Sequence, residues 1–573
     1  MNSGGGKETA LSARWVLGLN IGLHDASAAL LKDGAIVAMG EQERFSRNKR
    51  ANGEAPLDAL NYCLAYAGIA LKQLAAIAVG TDVDALIKWT EPTAEEMRQL
   101  STLTDPRRIL PSSLISNGHA LPPVIQVRHH LAHAASALWA SGMDSAAVLV
   151  IDNRGEDAST TLFSGDLNQF VEIERYPVAD SLGLYYRAAA QYTGLCGHAR
   201  EVGKLMGLAA YGRPVLPVPL QVVNDRPCFC RLPQTNGVRG GEIAPLRTKQ
   251  LTDFFVQNCF PYVGGLKEEI MSYANFAASV QLSVEEAVLA LCRRLKQHTG
   301  QRRLALAGGV ALNCTANRVI CQSGLFDEVF IQPVAHDAGV ALGAALEVDC
   351  RLTGRNRDTA NPIFDQYCGP EFSQEAIEEC LRQNKLSFEH LGEEALAEKV
   401  AASIAQGEIV AWFQGRAEVG PRALGARSLL GDPRSRATLV RLNKMKSREM
   451  WRPLAPSVLA ESYSTYFEDG RPSRYMIIAS MVKLEQRYRI PAVTHVDGTV
   501  RPQVVEREVN PRFWKLLKAF ERKTGIPMVV NTSFNIEAEP IVNSPQDAVR
   551  SFLASSADCL AIGDALVFAK QQK

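Results

Sequence analysis

The sequence lacks the features that would place the protein in a membrane or outside a reducing compartment. Its 573 residues include 12 cysteines, but no two of them are spaced Cys-x-x-Cys, which argues against a zinc ribbon and a disulfide framework. It has no apolar run of about 18 residues, so no membrane span is expected. The first 14 residues are polar and glycine-rich, without the apolar segment of a signal peptide. We therefore expect a cytoplasmic protein.

An excess of charge of one sign is also missing. The chain has 62 Lys and Arg against 61 Asp and Glu, so its net charge gives no general attraction to nucleic acid or anionic membranes. Apolar residues make up 46% and charged residues 21% of the chain, which is typical of a globular protein. Because this length exceeds what one core accommodates, at least two domains are expected.

The first part of the sequence repeats one order of elements. "VLGLNIG" and "AAVLVID" are each a predicted buried strand followed by a turn with Asp, and hairpin turns are predicted at Asp33-Gly34 and Gly165-Asp166. Duplicated halves of this kind around a cleft are typical of actin-like (ASKHA) nucleotide folds. We expect an α/β protein with a flexible N-terminus over residues 1–14, a duplicated actin-like domain over 15–352, a linker over 353–364 and an α+β domain over 365–573.

Two histidines in "VRHHLAHAASALWASG" have the spacing of one helical turn. His129 and His133 would project from the same helix face. In the zinc-protease pattern a Glu follows the first His, but here that residue is His130, so a peptidase would lack its base. Asp152 and Asp337, each at the end of a predicted strand, are candidate further ligands, and such a set suits Fe(II), Mn(II) or Zn(II). Histidines that only pack or cap a helix are the alternative.

Glycine-rich turns supply candidate phosphate contacts. "AGGVALN" places Gly308 and Gly309 after a buried strand, and Lys204 lies among the glycines of "EVGKLMGLAAYG". Glycine permits close approach of a ligand to the backbone, and helix N-termini suit phosphate oxygens. A solvated lysine and an ordinary strand-to-helix turn are the alternatives.

The strongest local charge lies between Ala411 and Ala460. This stretch has ten Lys and Arg against three Asp and Glu, and Arg416, Arg422 and Arg452 lie beside Gly or Pro. Arginines held by turns suit phosphate or carboxylate, which favours an anion site over a solvated basic face. RNA is a competing ligand, but few aromatic residues accompany the charge. Further along, "VVNTSFN" ends a predicted strand with polar residues that bind a ligand or cap a turn.

Segments in order along almost the whole chain resemble the O-carbamoyltransferase family that includes the nodulation-factor and tobramycin enzymes. They are "GLNIGLHDASAALLKDG", "EQERFSRNK", "VRHHLAHAASA", "GKLMGLAAYG", "AGGVALNCTAN", "HDAGVALGAAL", "GRAEVGPRALGARSLLGDPR", "MKSREMWRPLAPSVL" and "NTSFNIEAEPIVNSP". The resemblance implies an actin-like domain followed by a YrdC-like domain. It also implies an ATP-dependent transferase that converts carbamoyl phosphate to carbamoyl adenylate in the second domain and passes the carbamoyl group to a hydroxyl in the first.

The resemblance assigns roles to residues at matching positions. It implies His129, His133, Asp152 and Asp337 as metal ligands, with His24 as general base near the acceptor. The adenylate-forming site would comprise Lys446, Arg422, Arg452, Arg501 and Ser533, and the nucleotide contacts would be Lys204, Gly308, Gly309, Asn313 and Asn531. Iron(II) is the first expectation for the metal, with manganese or zinc as alternatives, and ATP with Mg²⁺ would be a substrate. The expected partners are carbamoyl phosphate, ATP and a hydroxylated natural product such as an antibiotic precursor, without nucleic acid or membrane; a homodimer stays open.

Three departures from the family pattern concern the geometry of the site. Asn153-Arg154-Gly155 stands where Gly-x-Gly is usual, Ala538 replaces a usual Gly, and His336 lies beside the proposed ligand Asp337. A threonylcarbamoyl-type tRNA modification enzyme is the alternative function, although the net charge gives it no support. A non-catalytic scaffold would be expected to have lost some of these site residues, and all are present.

Overall fold

The computed structural model describes residues 13–21, 24–95, 97, 122–196, 202–259, 267–355, 361–468, 471–536 and 538–571. Most of the expected flexible N-terminus (residues 1–12) and the middle of the expected linker (356–360) lie outside these residues. Within them, no helix has the length and apolar character to cross a membrane.

The first sheet has five strands. These are β1 (Trp15–Asn20), β2 (Ser27–Lys32), β3 (Ala35–Glu41), β4 (Leu74–Val79) and β5 (Val124–Gln126), in the order β3-β2-β1-β4-β5. β1, β2 and β3 pair antiparallel, whereas β4 and β5 extend the sheet in parallel with β1. Asp33 (φ 50°) and Gly34 (φ 82°) form the predicted hairpin turn, with the positive φ values that two-residue hairpins favour.

The second sheet repeats this topology. Its strands are β6 (Ser145–Ile151), β7 (Ala158–Asp166), β8 (Phe170–Pro177), β11 (Arg303–Ala307) and β12 (Glu328–Ile331), in the order β8-β7-β6-β11-β12. β6, β7 and β8 pair antiparallel, and β11 and β12 are parallel to β6. The predicted duplication is therefore confirmed strand by strand. The second hairpin turns slightly later than predicted, between Asp166 and Phe170. A small ribbon, β9 (Leu220–Val223) and β10 (Arg226–Phe229), lies apart.

Ten helices accompany these sheets within the described residues. They are α1 (Gln42–Ser46), α2 (Leu57–Ala67), α3 (Val83–Thr90), α4 (His129–Leu138), α5 (Leu182–Tyr192), α6 (Lys204–Ala209), α7 (Gly240–Asn258), α8 (Ala274–Thr299), α9 (Cys314–Gln322) and α10 (Ala338–Leu352).

The helix that follows each of the two five-stranded sheets packs on the other sheet. α4 follows the first sheet in sequence but packs on the second, against β6 and β11, whereas α10 follows the second sheet and packs on β1, β2 and β4 of the first. The two helices also pack on each other at Gly343, where a Cβ would lie 1.7 Å from the carbonyl oxygen of Ala132. This exchange brings the N-termini of α4 and α10 to one place.

The last part of the chain forms a mixed eight-stranded sheet. Its strands are β13 (Glu389–His390), β14 (Val410–Phe413), β15 (Arg427–Gly431), β16 (Ala455–Leu459), β19 (Gln503–Val505), β20 (Met528–Ser533), β21 (Cys559–Ile562) and β22 (Ala565–Phe568), in the order β13-β22-β21-β14-β15-β20-β16-β19. β17 (Ser480–Met481) and β18 (Thr499–Val500) form a separate pair. The helices are α11 (Gln374–Gln383), α12 (Glu393–Ala405), α13 (Arg436–Met445), α14 (Tyr463–Tyr466), α15 (Pro511–Thr524) and α16 (Pro545–Ala554).

Two large apolar cores match this division. One lies among the first two sheets and their helices, and the other surrounds the eight-stranded sheet with α12 and α15. Val419, Leu424 and the segment from Tyr475 to Ile478 join the first core from the last part of the chain. The protein is thus an α/β protein with a duplicated actin-like part and a mixed-sheet part that packs against it.

Candidate active site

Four candidate metal ligands meet where the two halves of the duplicated part exchange helices. His129 and His133 lie on the first turns of α4, Asp152 directly follows β6, and Asp337 directly precedes α10. The Nε2 atom of His129 lies 3.2 Å from Nε2 of His133, 3.6 Å from Oδ2 of Asp152 and 3.7 Å from Oδ1 of Asp337. Oδ1 of Asp337 is 3.8 Å from Nε2 of His133. We call these four residues the quartet.

The geometry of the quartet fits a divalent ion. An ion about 2.1 Å from its ligands would hold neighbouring ligand atoms about 3.0 Å apart in an octahedron and about 3.4 Å apart in a tetrahedron. Outer contacts orient the ligands: Nδ1 of His129 faces the carbonyl oxygen of Gly80 at 3.3 Å, and Oδ1 of Asp152 accepts a hydrogen bond from the Gly309 amide at 3.0 Å. Supporting contacts of this kind are usual around metal sites. His130 does not belong to this set, since its Nδ1 atom lies 2.7 Å from Oγ1 of Thr161. Burial and the neighbouring His129 lower the pKa of His130 to about 3, so it is a neutral packing residue.

His24 lies beside the quartet within a charged cluster. Its Nδ1 atom is 3.5 Å from Oδ2 of Asp337 and 2.9 Å from Oδ2 of Asp25. Arg50 donates to both Asp25 oxygens, at 2.7 and 3.2 Å. Burial opposes protonation of His24, but Asp25 and Asp337 outweigh it and raise the pKa of the imidazole. His24 therefore lies directly beside the quartet ligand Asp337, in a setting that favours its protonated form.

Of the residues expected to contact nucleotide, some line a cavity and one does not. Gly309, Asn313 and Lys204 line the cavity described below. Gly308 does not: its φ is +88°, and a Cβ there would meet the Ile151 carbonyl at 2.3 Å, so glycine is required by close packing. Asn313 caps α9 and also bonds to Gln281. Lys204 pairs with Glu449 across the two parts of the chain at 3.1 Å.

Four arginines of the mixed-sheet part line the site. They are the predicted Arg422, Arg452 and Arg501 and, in addition, Arg448. Burial and the like charges of its neighbours lower the pKa of Arg422 to about 9. Within the described residues its side chain has no hydrogen bond or ion pair, and its buried Nε atom has no partner. Concentrated positive charge of this kind is suited to an anion such as a phosphate. We call these residues the arginine cluster.

Lys446 lies next to the arginine cluster and is almost fully buried. Its Nζ donates to Oδ1 of Asn535 at 2.6 Å, to Oγ of Ser533 at 2.9 Å and to the Ser533 carbonyl. Asn531, on the same strand, donates to Oγ of Ser457 at 2.9 Å. The polar end of β20 thus holds Lys446 in place, and Ser533 and Asn531 both line the cavity.

One cavity of about 1440 Å³ joins the two ends of the site. Its wall includes His24, His129, Asp152 and Asp337 at one end and the whole arginine cluster at the other. His133 and Lys446 lie just behind the wall. A less polar part of the wall comes from Leu86, Thr90 and Pro92 and from Gly241, Ala244, Pro245 and Thr248 of α7.

The expectation that Arg416 contributes to an anion site is wrong. Its guanidinium stacks on the Tyr66 ring at 4.3 Å and donates to the carbonyl oxygens of Cys368 and Val37. It therefore holds the two parts of the chain together and does not line the cavity.

Sequence reasoning missed two cationic residues of the wall. Arg448 belongs to "KSREMWRP", between the predicted Lys446 and Arg452, and this proximity was an available signal. Arg154, noted only as a departure from the usual pattern, lies in the turn after Asp152. Burial lowers the pKa of Arg154 despite the nearby Asp337 and Asp152, and its side chain has no hydrogen-bond or ion-pair partner within the described part of the chain.

Comparison with known proteins identifies the class of enzyme. A family model described as carbamoyltransferase N-terminus matches residues 15–346, and one described as carbamoyltransferase C-terminus matches residues 401–569. The chain therefore belongs to the carbamoyltransferase family and is a carbamoyltransferase enzyme.

Its relatives include proteins that match over most of their length. An uncharacterised protein of Synechocystis is 38% identical, with 96% of this chain and 95% of that protein covered. Nodulation protein NolNO of Sinorhizobium fredii is 36% identical, with 96% and 79% covered. The 3'-hydroxymethylcephem-O-carbamoyltransferase of Streptomyces clavuligerus is 30% identical, with 68% and 72% covered. The chain is thus a carbamoyltransferase of the nodulation-protein and cephem O-carbamoyltransferase type.

Proposed function

We propose that the protein is an ATP-dependent O-carbamoyltransferase that forms carbamoyl adenylate and transfers its carbamoyl group to a hydroxyl of a small-molecule natural product. The observation that carries the proposal is the single cavity with the arginine cluster at one end and the quartet at the other. A reactive intermediate made at one end can reach the other without leaving the protein. Such enclosure protects it from hydrolysis by bulk water.

The arginine cluster supports the first half-reaction. A carbamoyl carbonyl is a weak electrophile because its nitrogen donates into it, and a mixed anhydride with AMP gives it a better leaving group. Overall, carbamoyl phosphate, ATP and water would give carbamoyl adenylate, pyrophosphate and orthophosphate. This step brings several anions together, and Arg422, Arg448, Arg452 and Arg501 offset their repulsion. Lys446, fixed by Ser533 and Asn535, holds a further positive charge beside them.

The quartet end supports the second half-reaction. A divalent ion held by His129, His133, Asp152 and Asp337 would supply a Lewis acid; iron(II) is our expectation for it. His24 lies within 3.5 Å of Asp337 and would take the proton of the acceptor hydroxyl as general base. Arg154, which faces the same space, would hold an anionic group of the adenylate or the acceptor.

The acceptor would lie against the less polar wall formed by α7 and by Leu86, Thr90 and Pro92. Apolar walls with a few charged groups are typical of small-molecule sites. The relatives that act in nodulation and on a cephem alcohol support a hydroxylated natural product as the acceptor class.

The test is ATP–pyrophosphate exchange by the purified protein without an acceptor. We expect exchange that depends on carbamoyl phosphate, with Lys446→Met inactive and the surface variant Arg382→Gln unchanged. Exchange without carbamoyl phosphate, or nucleotide binding with no exchange at all, would contradict the proposal and favour a threonylcarbamoyl-type reaction, which is then tested with threonine and bicarbonate.

A further inference from the structure

A short segment at the end of β3 lies between the two ends of the cavity. It comprises Glu41 and α1 (Gln42–Ser46) with the following Arg47, and its charged side chains reach loops of the mixed-sheet part. We call Glu41, Arg44 and Arg47 the bracket. Glu41 and Arg44 are buried, at 5% and 6% exposure, which is unusual for charged residues without a specific role.

Glu41 and Arg44 bind the two backbone polar groups of Gly420. Oε1 of Glu41 accepts a hydrogen bond from the Gly420 amide at 2.7 Å, and Nη2 of Arg44 donates to the Gly420 carbonyl oxygen at 2.6 Å. Gly420 has φ +98°, and a Cβ there would lie 3.1 Å from the Pro333 carbonyl. Only glycine fits this conformation and close approach. Arg422 of the arginine cluster follows two residues later.

Arg47 holds a second loop of the same wall. Its Nη1 and Nη2 atoms donate to the carbonyl oxygens of Ile541 and Pro540 at 2.6 and 2.7 Å, and Asp547 lies 3.5 Å from its Nε. Pro540 and Ile541 line the cavity. The bracket therefore fixes two separate loops of the wall through their backbone carbonyls.

Glu41 also contacts the quartet end. Its second oxygen, Oε2, lies 3.3 Å from Nε2 of His336, and His336 directly precedes the ligand Asp337. One carboxylate thus joins the residue before a metal ligand to the loop that carries Arg422. Charge-assisted hydrogen bonds in a buried setting are short and directional.

We propose that Glu41 and Arg44 are positioning residues that fix the Arg422 loop relative to the quartet, so that the two half-sites keep one separation and orientation. The inference concerns the same site as the proposed function, and the expected effect on catalysis rests on that proposed function. Burying these charges costs desolvation energy that an apolar interface would avoid. The polar contacts of Glu41 and Arg44 are instead made to the amide and carbonyl of Gly420 and to His336. Such directional contacts fix the position of the loop, which apolar packing alone would not do.

The test compares Glu41→Ala, Glu41→Gln and Arg44→Ala with a matched control, Arg471→Ala. Arg471 also donates to a backbone carbonyl across the two parts of the chain, that of Phe326 at 2.8 Å, but it does not line the cavity. Three quantities are measured on the full chain: deuterium exchange of peptides covering residues 418–424, the KM for carbamoyl phosphate in pyrophosphate exchange, and the divalent metal content.

We expect both alanine variants to speed amide exchange at Gly420 and to raise the KM about 10-fold or more, since each loses a charge-assisted hydrogen bond. Glu41→Ala should also lower metal content, because it frees His336, whereas Arg44→Ala should not. Glu41→Gln keeps an acceptor for the Gly420 amide and should keep the KM within about threefold of wild type. The control should change none of the three.

A general folding defect would lower the active fraction without changing the KM, so the KM separates positioning from stability. Unchanged amide exchange and KM in both alanine variants would overturn the inference, as would equal effects in Arg471→Ala. If the wild type shows no exchange dependent on carbamoyl phosphate, the proposed function fails, and amide exchange and metal content still decide whether the bracket fixes the loop.

Discussion

The arginine cluster should make the ligand-free protein less stable than a variant that lacks one of its charges. Arg422 has a pKa of about 9 because it is buried beside Arg448, Arg452 and Arg501. This is about 3.5 units below the usual arginine value of 12.5, and each unit corresponds to about 1.4 kcal/mol, so the charge costs on the order of 5 kcal/mol in the folded state. A lowered pKa in a cation means that the folded protein disfavours the charged form at neutral pH, so removing the charge is stabilising.

The variant Arg422→Gln isolates this effect. Water in the cavity screens part of the repulsion and glutamine must also be desolvated, so we expect a net gain of about 1–2 kcal/mol. For a part of the chain with about 200 residues this raises Tm by about 2–8 °C. Added inorganic pyrophosphate should raise the Tm of the wild type and have much less effect on the variant, because the anion neutralises the cluster in place of the mutation.

The assay is thermal unfolding with and without pyrophosphate, at neutral pH and fixed ionic strength. Arg382→Gln is the control, since Arg382 is an exposed arginine of α11 paired with Glu378. A ligand-free Arg422→Gln protein that melts below the wild type would refute the reasoning, because Arg422 would then be a stabilising residue.

Three other variants test separate parts of the molecule. His129→Ala with His133→Ala should lose bound divalent metal and acceptor-dependent consumption of carbamoyl adenylate but keep pyrophosphate exchange; loss of both reactions would contradict a division of work between the two ends of the cavity. Lys446→Met should do the reverse, losing exchange by about 100-fold or more while still using supplied carbamoyl adenylate, and unchanged exchange would mean that Lys446 only packs. Gly343→Ala should lower the free energy of unfolding by at least about 2 kcal/mol, because its Cβ would meet the Ala132 carbonyl; an unchanged urea midpoint would contradict the close approach of α4 and α10.

The parts of this structure that depend on local rules could be predicted from the sequence. The four-residue spacing of His129 and His133 places both on one helix face wherever the helix lies. The Asp33-Gly34 hairpin and the repeated strand order follow from turn chemistry and from apolar strands ended by polar residues. Asp152 and Asp337 were candidates because each follows a strand, a position that the fold turns toward the cleft.

Features that depend on packing between distant segments could not be predicted in this way. The exchange of α4 and α10 between halves has no local signature, since both are simply apolar helices. Arg416 and Arg422 look equivalent in sequence, each beside Gly or Pro, but one stacks on Tyr66 and the other faces the cavity. Which of the two arginines faces the cavity depends on how the two parts of the chain pack together.

The exchanged helices give the quartet a further meaning. Each ligand-bearing helix packs on the opposite half's sheet: α4, which carries His129 and His133, lies against β6 and β11, and α10, which Asp337 precedes, lies against β1, β2 and β4. The two helices also pack on each other at Gly343. The quartet therefore draws its ligands from elements held by both halves, and an ion bound there would tie one half to the other through side chains as well as through packing.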